Sequence, residues 1–203
     1  MSTNEAFSHD RYLVDQLIRP IANLYRITPL AAGETPLGGP VAFVRQKKMA
    51  LREDIRFFAD DSESEELFRI KARSVLDTGG SRYDVLDAGG VSIGRLEHLF
   101  KKSLIRTTWR IVGADETEVA LAHEKSQAIA IARRVVDFVP YGEWIPIPYN
   151  FDLLMDGRVV GSLNRKFQLR DRYVLDLTDD HERKLDRRLA IALAIGLDAL
   201  QNR

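Results

Sequence analysis

One pentapeptide spells a hydrolase signature. Gly90-Val91-Ser92-Ile93-Gly94 matches the G-x-S-x-G pattern, in which a serine hydroxyl is held out for attack on an acyl carbon. That chemistry needs a strained elbow between a strand and a helix, whereas here period-two residues follow the serine. Ser92 is therefore expected at a strand start, with the glycines serving a hairpin turn and a close approach inside the sheet. No catalytic residue is expected. The four histidines, His9, His98, His123 and His181, stand singly, without the spacing that places two imidazoles on one metal. Asp60 to Glu66 offers alternating oxygen ligands, but it lacks the glycine and the twelfth-position glutamate of a calcium loop. Neither a Walker A loop nor a dinucleotide fingerprint is present, so no metal and no cofactor is expected.

The remaining residues with binding chemistry are cationic. They fall in three groups: Lys47, Lys48 and Arg52; Lys101, Lys102 and Arg106; and Arg165, Lys166 and Arg170. Clustered guanidinium and ammonium groups suit an anionic headgroup or a phosphorylated ligand. Two of the groups belong to an internal repeat. Gly39, Val41, Lys48, Leu51, Arg52 and Asp61 recur as Gly157, Val159, Lys166, Leu169, Arg170 and Asp179, so each copy reads as strand, basic turn, strand.

The elements that must position these residues are strands. Apolar residues alternate with charge through Ile55 and Phe57, Phe68 to Ala72, Tyr83 and Val85, Trp109 and Ile111, and Tyr173 to Leu177. Turn chemistry at Gly33 to Pro40, Asp60 to Glu65, Asp87 to Gly90, Gly113 to Glu116 and Asp156-Gly157 separates them. Twelve strands are predicted, beginning near Tyr12, Leu24, Val41, Asp54, Glu66, Arg82, Val91, Thr107, Glu118, Tyr149, Arg158 and Asp171. A helix is expected from Ser126 to Phe138, between strands nine and ten, stopped by Pro140. If the strands run up and down, connections from odd to even strands share one end, and all three basic groups lie on such connections. The opposite connections carry Glu34, Asp60, Asp61, Glu63, Glu65, Glu66, Asp87, Asp115, Glu116, Glu118 and Asp156. A basic end and an acidic end are the expectation.

The last segment differs in kind. Leu189 to Leu197 is an unbroken stretch without a polar side chain, inside a helix predicted from Asp186 to Leu200. It is too short to span a bilayer, and a helix apolar all round is buried on every side. Small residues at Ala190, Ala192, Ala194 and Gly196 keep it slim enough to thread a barrel lumen. At 203 residues the chain is long enough for one substantial core, so residues 11–203 are expected to form a single β-barrel domain after a disordered tail over 1–10. Thirty basic residues balance thirty acidic ones, which points away from nucleic acid. Cysteine is absent, removing disulfides and thiolate chemistry, and the polar N-terminus fits a cytoplasmic protein.

The strand rhythm, the stretch IPIPYNFDLLMDGRVVGSLNRKFQLRDRYVLDLTDD and the closing LDRRLAIALAIGLDAL together resemble the LURP-one-related family, within the superfamily of tubby C-terminal domains and phospholipid scramblases. The resemblance runs from about Arg11 to Leu200. It implies a twelve-stranded barrel around a central hydrophobic helix, and no shared reaction. Relatives are linked to phosphoinositide binding, membrane association or plant defence. The expected function is a non-catalytic binding domain that meets an anionic membrane surface or a phosphorylated ligand through its basic end, with a protein-interaction domain as the alternative and an enzyme last.

Overall fold

The computed structural model describes residues 3–18, 22–47, 54–73, 81–99, 107–125, 150–166 and 172–199. Twelve strands run in sequence: β1 (Arg11–Ile18), β2 (Ala22–Pro29), β3 (Ala42–Lys47), β4 (Asp54–Phe58), β5 (Glu66–Ala72), β6 (Arg82–Asp87), β7 (Ser92–His98), β8 (Thr108–Gly113), β9 (Glu118–Glu124), β10 (Phe151–Met155), β11 (Arg158–Lys166) and β12 (Arg172–Asp176). Each pairs antiparallel with its chain neighbours, and β1 pairs with β12 (Val14 opposite Tyr173), so the sheet closes into a barrel without an edge. Every strand begins within two residues of the position predicted from alternation.

Alternation fixes what faces the lumen. Directly paired residues share a face, and the inward set includes Tyr12, Tyr25, Phe57, Phe68, Ile70, Leu96, Trp109, Ile111, Phe151 and Leu153, all almost completely buried. Phe57 and Phe68 stack at 3.9 Å between ring centres. Into this lumen runs helix α2 (Arg187–Ala199); α1 (Thr3–Ala6) is a single turn at the N-terminus. Asp186 caps α2, its carboxylate accepting from Arg188 N at 2.8 Å. Leu189 to Leu197 are buried and belong to the same apolar cluster as the inward residues of the strands.

The helix enters from the end where β12 finishes. There Arg187, almost fully buried, is held between Asp180, which is also buried, and Asp10 at 2.6 Å. Asp180 additionally accepts from Lys184 N and Leu185 N, so the buried guanidinium meets a carboxylate already fixed by the backbone. In its first turn Leu189 lies against Gly94, near the start of β7.

Two sequence expectations change. The expected pair of helices, one central and one between β9 and β10, is corrected to a single helix. Apart from the one-turn α1 and a 3-10 turn at Ala32–Glu34, the helix among the described residues is α2, and Ser126 to Phe138 lie outside them. On either side of that segment β9 and β10 pair directly, with Phe151 opposite Glu124 and Lys125 N bonded to Asn150 O. The N-terminal residues, read as a disordered tail, contribute to the core. Ala6 and Phe7 are buried, and Phe7 meets Phe68 edge to face at 5.5 Å.

Tyr12 reports on this packing. Its hydroxyl accepts from His9 N at 3.0 Å, and burial pushes its pKa up to about 12 from an ordinary 10. The folded protein keeps the Tyr12 proton after the unfolded chain has lost it. The contribution is therefore intact below pH 10 and disappears as pH climbs towards 12, a loss of about 2 to 3 kcal/mol. Urea denaturation at pH 9 and pH 12 should show that loss in the wild type, and Tyr12→Phe should reduce it.

Candidate ligand-binding site

Strand order settles which connections share an end. Odd strands run towards one rim and even strands return from it, so the β3–β4, β7–β8 and β11–β12 connections all belong to that rim. Of the nine cations on them, Lys48, Arg52, Lys101, Lys102, Arg106 and Arg170 lie outside the described residues. Lys47 is the last residue of β3, opposite Ala22, and its side chain also falls outside the description.

Arg165 and Lys166 close β11, and period-two geometry sends them to opposite faces. Arg165 pairs with the buried Tyr173 and shares the inner parity of Leu163. Lys166 faces outward, opposite Arg172, and its Nζ lies 2.6 Å from Glu34 Oε1. The two adjacent cations therefore do not form one surface. Glu34 belongs to the β2–β3 connection, of the opposite parity, so at this point the two charge sets touch.

Inside the same rim lies a polar collar that sequence reasoning missed. Gln16, Gln46, His98, Glu124 and Arg165 stand at or beside the ends of β1, β3, β7, β9 and β11, each continuing the inward row of its strand. Gln16, Gln46 and Glu124 are buried. Gln16 Nε2 donates to Tyr25 Oη at 3.4 Å, and Asn23 Nδ2 donates to Gln46 Oε1 at 3.0 Å. The His98 ring stacks on Trp109 at 4.9 Å, and Tyr83 stacks on the same indole at 5.9 Å. Burial lowers the His98 pKa, so the imidazole is neutral at pH 7. Helix α2 is about 20 Å long by its residue count, enough to carry its last carbonyls from the far end to this collar. The lumen thus turns polar where the apolar helix runs out.

The opposite rim is acidic and its chemistry is legible. Asp60 and Asp115 accept from Ser62 and Thr117 in tight turns, and those bonds pull both carboxyls below their ordinary range. Asp61, Glu65 and Asp179 make no ion pair among the described residues, and Asp156 lies close enough to Lys184 to act on its charge.

The hydrolase-like pentapeptide resolves into structural glycines. Gly90 has φ +84 in the β6–β7 turn, Ser92 is exposed at the start of β7, and Gly94 faces the helix. No hydrogen bond joins Ser92 to a base among the described residues, and no group of three or more His, Asp or Glu there is placed to hold a metal. No described helix is long and apolar enough to cross a membrane.

No curated protein matches the chain. The LURP-one-related family model matches residues 41–198, from the residue before β3 to the last turns of α2. That span takes in ten of the twelve strands and the lumen helix, and the protein belongs to the LURP-one-related family.

Proposed function

We propose that the protein is a non-catalytic binding domain of the cytoplasm that meets anionic phospholipid, or a phosphorylated ligand, through the rim to which its odd strands run. The observation that carries this reading is the strict sequential order of the barrel, which assigns the three cation-bearing connections to one rim and the acidic turns to the other. Each Lys or Arg that approaches an anionic surface contributes about 1 kcal/mol, and salt screens it. Binding is accordingly weak, peripheral and salt-sensitive.

Replacing Lys47, Lys48, Lys101, Lys102 and Lys166 by Glu is expected to abolish co-sedimentation with phosphatidylserine vesicles at low salt while leaving the melting temperature within a few degrees of wild type. Arg165 is left intact because it faces the lumen. Reversal of Asp60, Asp61 and Glu65 to Lys is expected to leave binding undiminished. Wild type that ignores these vesicles, or two reversals that behave alike, would refute the lipid reading.

A protein-interaction role is favoured by a separate observation. Leu37, Val91 and Val159, the exposed large hydrophobics of the described residues, all lie at the acidic rim. Val159 lines a cleft of about 510 Å³ together with Met155, Asp156, Asp179 and Lys184. Such a surface suits a basic partner with an apolar anchor.

A further inference from the structure

The outer wall of the barrel carries three arginines in one row. Arg45 on β3 is directly opposite Arg56 on β4, which is directly opposite Arg69 on β5. Side chains so paired stand about 5 Å apart, and like charges in that position repel. The sheet tolerates the row because carboxylates reach it. Asp54 holds Arg56 at 2.8 Å, Glu66 holds Arg69 at 3.0 Å, and Glu63 holds Arg45 with both oxygens at 2.7 and 2.8 Å. Arg26 and Lys71 on the same wall are exposed and make no ion pair among the described residues, although Arg26 stands directly opposite Asp15, and Lys71 directly opposite Asp54 and Asp84.

Glu63 is the unusual member. It comes from the β4–β5 turn, its backbone sits in the left-handed region at φ +58, and its carboxylate folds back along the wall to Arg45. A non-glycine residue is strained in that region, and an ion pair as exposed as this one returns little. The clasp is therefore cheap to open. A phosphate monoester presents the same pair of oxygens to a guanidinium, with one more negative charge.

We propose that the Arg45–Arg56–Arg69 row is a binding site for a phosphate-bearing ligand, and that Glu63 occupies it as an internal competitor. The site lies on the wall and is independent of the rim cations considered above. A free phosphate compound and a lipid headgroup offer it the same chemistry.

The test is isothermal titration with inorganic pyrophosphate at low ionic strength, beside co-sedimentation with phosphatidic acid vesicles. Glu63→Gln is expected to bind pyrophosphate up to about fivefold more tightly than wild type, the factor set by loss of an exposed ion pair. Glu65→Gln makes the same change in net charge from the same turn without freeing an arginine, and is expected to bind as wild type does. Arg45→Ala and Arg56→Ala should lose binding while keeping the wild-type melting temperature within a few degrees. Vesicle binding that follows the same order identifies a headgroup ligand, and binding of pyrophosphate alone identifies a soluble one. Equal behaviour of Glu63→Gln and Glu65→Gln, or full affinity in Arg45→Ala, overturns the proposal. The rim-reversed protein described above should still bind pyrophosphate, so the two readings fail separately.

Discussion

Ala194→Glu is expected to yield no soluble, monodisperse barrel. Ala194 lies midway along α2 and is fully buried, with Leu193 and Ile195 beside it equally enclosed. A carboxylate there has no water and no cation within the apolar cluster, and burying it unpaired costs several kcal/mol. The added side chain must also be accommodated where only a methyl fitted, which costs about 1–3 kcal/mol more. Against a total stability of about 5–15 kcal/mol for a domain, the sum removes the folded state. Ala194→Ser, which adds one small hydroxyl able to bond back to the preceding turn, should fold with reduced stability. Size-exclusion chromatography and thermal melting of the two variants distinguish the cases. A monodisperse Ala194→Glu protein with a wild-type melt would mean that α2 does not occupy the lumen.

The strands and the helix were legible because each obeys one period throughout. Ile55-Arg56-Phe57 and Tyr173 to Leu177 alternate as the pleat demands, and Leu189 to Leu197 leaves no polar face for solvent. The collar was hidden by the same rule. Along β1 the inward row runs Tyr12, Val14, Gln16; along β3, Ala42, Val44, Gln46; along β7, Gly94, Leu96, His98; along β9, Ala120, Ala122, Glu124; and along β11, Gly161, Leu163, Arg165. Each row starts apolar and ends polar. Taken singly, the last residue looks like the onset of a turn, so Arg165 was grouped with the rim cations. Set side by side, five rows ending alike at the same rim are a signal, because only an interior that changes polarity needs it. The arginine row escaped for a different reason. Arg45, Arg56 and Arg69 are outward strand residues like any others, and only register, which sequence spacing across two turns does not fix, brings them level.

The two rims owe their difference to what each must do for the helix. At the acidic rim the chain turns from β12 into α2, and a cation, Arg187, is buried at the helix N-terminus, where the macrodipole opposes it. Asp180 and Asp10 supply the compensating charge, and Asp186 pairs with the neighbouring Arg188, so part of that rim's acidity is structural. At the other rim the inward rows of β1, β7 and β11 end on Gln16, His98 and Arg165.

Gly94→Ala is expected to cost about 2–6 kcal/mol, although it adds a single carbon. A Cβ on Gly94 would lie 2.4 Å from the Val112 carbonyl oxygen on β8 and 3.0 Å from a Leu189 methyl on α2. The first of these neighbours is backbone locked in the β7–β8 ladder, where Gly94 pairs with Gly113, and it does not yield as a side chain does. Gly94 also holds φ +155, which an alanine adopts only with strain of about 1–3 kcal/mol. Overpacking against the helix adds about 1–3 kcal/mol. Leu189→Ala in the same chain removes the side-chain clash and leaves the carbonyl clash, so the double variant should recover only part of the loss and should itself suffer from the cavity left by Leu189. Ser92→Ala, two residues away and exposed, should melt as wild type does. Urea denaturation of the four proteins therefore separates two readings of one pentapeptide. A nucleophile elbow would make Ser92 the residue that cannot change, with Gly94 needed for its geometry. A structural pair of glycines makes Gly94 indispensable to folding and Ser92 free to vary, and full stability in Gly94→Ala would rule that arrangement out.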